Sequence, residues 1–340
     1  MAAPKTSLTG IKPTATPHLG NYLGAIRPAL KLAESYRTLY FIADYHAMTT
    51  MRDPEALRTY VYDVAATWLA CGLDPEETIF FRQSAVIEVF ELAWIFSCLF
   101  GTGHLLRGHS YKDAVAKGDA DPNAGITFYP MLMAADIVLY DTHVVPVGKD
   151  QKQHLEITRD VAKRFNHYFG DDVLVVPEAL IGDAPLVPGT DGEKMSKSRN
   201  NSIPLFAPPK KLRKTIMSIK TSSEELDDPK DPDTSTIWQL THQVAPEAAE
   251  TMAAKMRKGV GYGWGHAKQD LVDVLESELG PFRERYAELR ADETNLDTQL
   301  AMGASKARKV AQETMRRVRE AIGIRRPLTA EERATVKLKP

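Results

Sequence analysis

The sequence predicts an α/β protein with a parallel sheet over residues 1–206 and an all-helical region from 207 onward, and three observations carry that expectation. Short β-branched or aromatic runs that end in polar residues or glycine alternate with stretches of helical spacing in the first part. After about Ala207 the strand-like runs stop. Beyond that point apolar residues recur only at helical intervals. Strand, helix and strand in alternation imply parallel pairing with right-handed crossovers, and a chain of 340 residues is long enough for one large α/β unit plus a smaller second one.

The elements follow in order. A short first strand is expected around Ser7 to Ile11, then a Pro/Gly-rich loop and a helix from about Tyr22. "TLYFIADYHAM" (Thr38 to Met48), "ETIFFRQ" (Glu77 to Gln83), "HVVPVG" (His143 to Gly148) and "VLVVPE" (Val173 to Glu178) read as buried strands. Between them, Leu57, Tyr60, Val61, Val64, Ala65 and Trp68 share one helical face, as do Val89, Leu92, Ala93 and Phe96. Ligands of such sheets bind beyond the carboxyl ends of the strands. That places Asp44, His46 and the "GKDQ" of Gly148 to Gln151 near a site. In the second region, Leu271, Val274, Leu275, Leu279, Phe282, Tyr286 and Leu289 line one helix; Ala307, Val310, Ala311, Met315 and Val318 line another. "DDPKDPD" (Asp227 to Asp233) is a turn-rich link.

Composition narrows the functional classes. The apolar fraction is 43% and the formal charge −2, so neither disorder nor wholesale coating of nucleic acid is expected. Charge is uneven, however: residues 301–340 carry 11 Lys or Arg against 4 Asp or Glu, giving either a local basic face around Lys306 to Arg319 or a solvated helix with a basic tail. Cys71 and Cys98 stand alone with no ligand spacing, which reads as two buried reduced thiols and supports neither a disulfide framework nor a zinc site. The N-terminus has no apolar leader, and the longest greasy stretch, Leu92 to Phe100, is too short to cross a bilayer, so a cytoplasmic protein is expected.

The dinucleotide fingerprint GxGxxG and the phosphate loop GxxxxGK[ST] are both missing, so any nucleotide is bound by another device. "PHLGN" (Pro17 to Asn21) offers one. Gly20 lets a flat base lie against backbone, and His18 and Asn21 offer donors where a helix begins and anions are favoured; a Pro/Gly helix entry with a capping Asn is the plainer reading. Its companion is "DGEKMSKSRNN" (Asp191 to Asn201), in which Lys194 and Lys197 alternate with Ser196 and Ser198 after a glycine-bearing loop. Such a flexible cationic arm suits a triphosphate as charge moves onto leaving pyrophosphate.

The pair resembles the HIGH and KMSKS signatures of class I aminoacyl-tRNA synthetases, in the form seen in the tyrosine and tryptophan branch. "GIKPT" at Gly10, "YPMLMAADIVLY" at Tyr129, "VPVGKDQKQHLEITRDVAKRFN" at Val145 and "GVGYGWGHAKQDL" at Gly259 follow the tryptophanyl pattern, and the likeness runs from about residue 7 to 323. It implies a Rossmann-like catalytic domain over 1–206 closed by the KMSKS loop, a helical tRNA anticodon-binding domain over 207–325 and a basic tail over 326–340. It further implies activation of L-tryptophan with ATP to the adenylate, transfer to tRNA(Trp), Mg²⁺ carried by the nucleotide with no protein metal ligands, and a homodimer in which Val86 to Leu106 is the candidate interface.

The resemblance also assigns roles to residues. His18, Asn21, Lys194 and Lys197 would be catalytic. Lys12, Pro13, Thr14, Gly20 and Asn21 would line ATP loops; Gly148, Lys149 and Asp150 the ribose; Val187 and Met195 the adenine; Ser196 and Ser198 the arm. Asp136, Met133, Gln151 and His46 would hold tryptophan, with Asp44 and His154 as supporting groups. The tyrosyl branch has "QAYD" where this chain has "MAAD" (Met133 to Asp136). An indole N–H only donates, so one carboxylate acceptor with Met133 against the ring fits it; the plainer reading of Asp136 is a cap or surface carboxylate.

Three departures stand out. Lys12 replaces the common bacterial Gln, "SYKDAVAKG" keeps Lys112 but has Ala114 where many relatives carry a second lysine, leaving open whether Lys117 substitutes, and the "VPGTDGE" lead into the arm is longer than the common bacterial one. Two other classes share parts of the pattern: a small-molecule nucleotidyltransferase, and a non-catalytic paralogue that binds tRNA or tryptophan.

Overall fold

In the computed structural model, residues 4–106, 116, 122–148, 152–181 and 186–324 are described. Five strands form one sheet: β1 (Thr6–Ile11), β2 (Arg37–Ile42), β3 (Ile79–Arg82), β4 (Val144–Val147) and β5 (Glu178–Ile181), in the order β3-β2-β1-β4-β5. β1 pairs parallel with β4 and β4 parallel with β5. The order reverses direction at β1, the strand that runs directly into the loop beginning at Lys12.

Four strands fall where the apolar runs place them, and the fifth is displaced. The run Val173 to Glu178 is not itself a strand; pairing starts only at Glu178. The Asn166 side chain accounts for this, because it accepts from Leu174 N (2.9 Å) and donates to Leu174 O (2.8 Å), taking both backbone groups a ladder would use. The "TLYFIADYHAM" strand likewise ends at Ile42, and Asp44–Ala47 is a helical turn. The first helix also differs from expectation: Leu19–Asn21 is already α-helical, Tyr22–Ile26 widens to a π-helix and Arg27–Lys31 returns to α. Pro28 has no N–H to give to the preceding turn, and the wider turn absorbs the mismatch.

The chain forms two compact units interleaved in sequence: Met1–Leu8 with Phe81–Ile181 and Met302–Pro340, and Thr9–Phe80 with Gly182–Ala301. In the first, helices α5 (Glu88–Leu99), α7 (Ala124–Val138) and α8 (Lys152–Phe169) bury Phe96 and Phe165, whose rings meet edge-on at 6.5 Å; here the numbers α1 to α4 belong to Leu19–Asn21, Arg27–Lys31, Asp44–Ala47 and Pro54–Ala70, and α6 to Thr102–Leu106. In the second, Trp68 of α4 packs on Tyr40 at 4.8 Å, inside a core that also holds Leu19, Leu23, Val187, Met195 and Ile203. Each fully buried large apolar side chain contributes about 1.5–3 kcal/mol.

Past Ile181 no strand occurs among the described residues; the elements are α9 (Pro209–Met217), α10 (Thr236–Val244), α11 (Pro246–Lys258), α12 (Trp264–Ala291) and α13 (Glu293–Ala321), apart from a short 3-10 turn. The predicted stripe on α12 is inward: Leu271, Leu275 and Leu279 are buried, and Val274, Phe282, Tyr286 and Leu289 pack against them. Cys71 is buried, but Cys98 is exposed, contrary to the expectation of two buried thiols. No helix among the described residues is long and apolar enough to cross a membrane.

Candidate active site

The two signature segments meet within the second unit. After β1, Pro13 and Pro17 are buried and fix a loop whose Lys12 Nζ donates to Thr49 Oγ1 at 3.0 Å. The His18 amide donates to Asn21 Oδ1 (3.0 Å), so Asn21 anchors the helix entry with its carbonyl oxygen, where the sequence had suggested donors. Leu19 N donates to Ile203 O (2.9 Å), and His18 forms an isolated antiparallel bridge with Pro204. Gly20 N donates to the Met195 sulfur at 3.2 Å, joining positions 175 apart in sequence. A Cβ on Gly20 would stand 3.0 Å from the His18 ring and 3.2 Å from that sulfur, a tight fit that would push both side chains back by a few tenths of an ångström.

The lysine arm is organised around a residue that sequence reasoning passed over. Asn201, buried, accepts from Ser196 N (2.8 Å) and donates to Asp191 Oδ1 (2.7 Å) and Lys194 O (3.2 Å), while its carbonyl accepts from Thr190 N (2.9 Å). Pro188 bridges Lys194, and Met195 N donates to Val187 O at 2.9 Å. Val187 and Met195 are both buried in the core of this unit, whereas Lys194, Lys197 and Ser198 are exposed and Ser196 half-buried. Ser196 and Ser198 hydroxyls lie 3.2 Å apart.

Charge around His18 is arranged by the same meeting. Burial lowers the His18 pKa, and the Lys197 ammonium lowers it further. Its Nδ1 is buried with no hydrogen-bond partner among the described residues. Loss of surrounding water lowers the Lys197 pKa, and the Asp63 carboxylate opposes that. The Lys197 ammonium lies 5.6 Å from the centroid of the Tyr60 ring.

Met133 and Asp136, two of the residues expected to hold tryptophan, lie in the first unit. Asn123 caps α7 by accepting from Ile126 N at 3.2 Å. Tyr129, Met133 and Asp136 then recur on one face of that helix. Asp136 is only 2% exposed, which removes the surface-carboxylate reading, and Gln83 Nε2 donates to its two oxygens at 2.9 and 2.8 Å. Burial, then Asp136 and Glu88, push the Tyr140 hydroxyl pKa well up. His154 is buried, and its Nε2 lies 2.6 Å from the Tyr129 hydroxyl.

His46 and Asp44 belong to the second unit, in α3: His46 is half-buried with its carbonyl accepting from Thr49 Oγ1 (2.8 Å), and Asp44 accepts from Tyr45 N (3.0 Å). Thr14 N donates to Lys12 O at 2.9 Å. Gly148 is exposed at the end of β4, while Lys149, Asp150 and Gln151 lie outside the described residues, as do Lys112, Ala114, Lys117 and the tail 326–340. No cluster of three metal-ligating side chains occurs among the described residues.

A sheet of this order, with a PHLGN loop docked on a KMSKS arm, is the framework of class I aminoacyl-tRNA synthetases. The family described as tRNA synthetases class I (W and Y) matches residues 2–280, and the chain belongs to it. Tryptophan–tRNA ligase from Pseudomonas aeruginosa is 45% identical over 330 residues, covering 94% of this chain and 73% of that protein. The tryptophan–tRNA ligase of Fusobacterium nucleatum is 44% identical over 323 residues, 94% of this chain and 98% of its own. The solved tryptophanyl-tRNA synthetase from Campylobacter jejuni, complexed with ADP and tryptophan, superposes with a TM-score of 0.88 at 43% identity, covering 94% of this chain and all of that one. This chain is an enzyme of that ligase kind.

Proposed function

We propose that the chain activates L-tryptophan with MgATP, releasing pyrophosphate, and transfers the tryptophanyl group to the terminal ribose of tRNA(Trp). The observation that carries the proposal is the docking of Gly20 and His18 onto the segment around Met195, which brings a nucleotide-type loop and a two-lysine arm together. The tryptophan carboxylate is ionised at neutral pH and attacks the α-phosphate without a general base. What the protein must supply is alignment and neutralisation of the leaving pyrophosphate. His18, Asn21, Lys194 and Lys197 take those tasks, with Mg²⁺ arriving on the nucleotide.

Lys12, Pro13, Thr14 and Gly20 are assigned to the ATP loops, Val187 and Met195 to the adenine, Ser196 and Ser198 to the arm, and Gly148, Lys149 and Asp150 to the ribose. Asp136 is assigned to the indole N–H, Met133 to the ring, and Gln151 and His46 to the amino acid; the Gln83 pairing supports the first of these by holding the Asp136 carboxylate in a fixed orientation. Residues 1–206 act as the catalytic part and 207–325 as the anticodon-binding part, in a cytoplasmic homodimer.

The test is tryptophan-dependent exchange of pyrophosphate into ATP, followed by charging of tRNA(Trp). Both are expected. Exchange without charging would favour a small-molecule nucleotidyltransferase, and silence in both a binding paralogue. A hydrogen bond to a charged group contributes about 1.5–3 kcal/mol, so Asp136→Ala is expected to lower kcat/KM for tryptophan by roughly 10- to 150-fold. Unchanged kinetics would remove Asp136 from the pocket.

A further inference from the structure

Asp63 sits in the middle of α4, a helix whose second half is buried, and its side chain is only 8% exposed. A buried carboxylate needs several donors to persist, and among the described residues three come from distant parts of the chain. Thr16 Oγ1, from the loop between β1 and His18, donates to Oδ2 at 2.6 Å. Tyr286 Oη (3.0 Å) and Arg290 Nε (2.9 Å), both on α12, donate to Oδ1. One turn N-terminal on α4, the Tyr60 ring lies beneath the Lys197 ammonium. The α12 donors are themselves secured: Arg290 also pairs with Glu293 at 3.1 Å, and the Tyr286 ring stacks on Phe206 at 4.5 Å.

We propose that Asp63 is a positioning residue for the activation step: it ties the Thr16 loop to a carboxylate that α12 holds in place, one turn along α4 from the Tyr60 ring on which the Lys197 ammonium rests, and so sets the field at that ammonium. This rests on the pyrophosphate role assigned to Lys197 above. Asp63 touches no substrate and acts through Lys197 and the loop. The groups that bear on Lys197 are the Asp63 carboxylate, the His18 imidazole and the Tyr60 ring; Asp63 in turn faces Thr16, Tyr286 and Arg290. Removing the carboxylate leaves the lowering of the Lys197 pKa by burial unopposed, so the charged ammonium is lost at lower pH.

The experiment is a double-mutant cycle read by pyrophosphate exchange on the full chain, with Asp63→Asn, Lys197→Ala and the pair. Asp63→Asn is expected to lower kcat about tenfold with the KM for tryptophan unchanged, and to move the basic limb of the kcat profile to lower pH. In the Lys197→Ala background the same change is expected to cost less than about twofold, and Asp63→Glu to restore the basic limb. An equal loss in both backgrounds, or an unmoved basic limb, would mean that Asp63 is only structural and would overturn the proposal. Should Asp63→Asn fail to fold, Thr16→Val breaks the loop bond alone; its expected loss of about threefold must likewise vanish beside Lys197→Ala, and persistence there overturns the proposal. A wild-type chain without exchange would instead sink the functional reading itself, whereas normal wild-type exchange with a wild-type-like Asp63→Asn sinks only this inference.

Discussion

The His18 imidazole is held uncharged near neutral pH, because burial and the Lys197 ammonium both act against protonation. A histidine whose folded pKa is depressed stabilises the fold above its unfolded value of about 6.5, and that contribution is lost as pH falls through the folded value. On the proposed site, triphosphate beside Lys197 would reverse the local field, so ATP binding is expected to raise the His18 pKa and draw in protons below about pH 6.5. Calorimetric titration of ATP in two buffers of different ionisation enthalpy, at about pH 6, should show proton uptake that His18→Asn abolishes; equal uptake in the variant would dissociate His18 from the phosphates. Gln83 is the other residue whose role is read from its side-chain partner, the Asp136 carboxylate. It follows β3, where ligand-facing polar groups belong, but its bond to Asp136 joins positions 53 apart that no local pattern connects.

At the level of elements, the lysine arm is shaped by close packing around Asn201 more than by helix or strand. A Cβ on Gly189 would stand 2.4 Å from Asn201 Cγ and 2.6 Å from its backbone carbonyl oxygen, so the two residues define one joint. Asn201→Ala removes three of the four polar contacts that Asn201 makes in the arm, sparing only the backbone bond, and is expected to cost about 1–3 kcal/mol of stability and to lower kcat of pyrophosphate exchange more than KM for tryptophan. Gly189→Ala should act in the same direction, and the double variant should fall short of the sum because both changes disturb one joint; thermal melts and exchange kinetics of the three proteins test this, and full additivity would separate them. The same joint shows where sequence reading stops. Period and composition located β1 to β4, the inward stripe of α12 and the two signature segments, because these depend on residues near one another in the chain. β5 slipped because Asn166 occupies the backbone of Leu174, and the first helix widens to a π-turn over Tyr22–Ile26 ahead of Pro28, neither of which periodicity records. Asp136 was legible as a charge inside an apolar helix, whereas Asn201, Gln83 and Asp63 gain their roles only from partners that folding brings to them.

For the molecule as a whole, two surfaces change meaning once folded. The basic stretch of α13 gives much of its charge to carboxylates of its own unit: Arg308 pairs with Glu88 at 3.3 Å, Arg316 with Glu313 and Glu320 at 2.7 and 2.8 Å, Arg317 with Asp141 at 2.5 Å, and Arg319 with Glu91. The local basic face is therefore largely paired within its own unit, and Arg308, Arg317 and Arg319 fasten α13 to α5 and to the turn after α7. α5 presents the opposite case on its outer side. Ile87 (62% exposed), Phe90 (44%) and Trp94 (71%) follow one another at helical spacing with the exposed Cys98, the same segment that resemblance marked as a subunit face. Apolar stripes of this kind mark interaction surfaces, and a second copy of the chain offers the same stripe in self-complementary form. A central interface aromatic typically contributes about 2 kcal/mol or more, roughly thirtyfold in Kd. Trp94→Glu, which also places a charge there, is therefore expected to turn a dimer into a monomer at micromolar concentration in sedimentation experiments, with the melting temperature of the monomer little changed because the side chain is not part of the core. A wild-type chain that already sediments as a monomer would assign the stripe to a different partner and remove the homodimer from the functional reading.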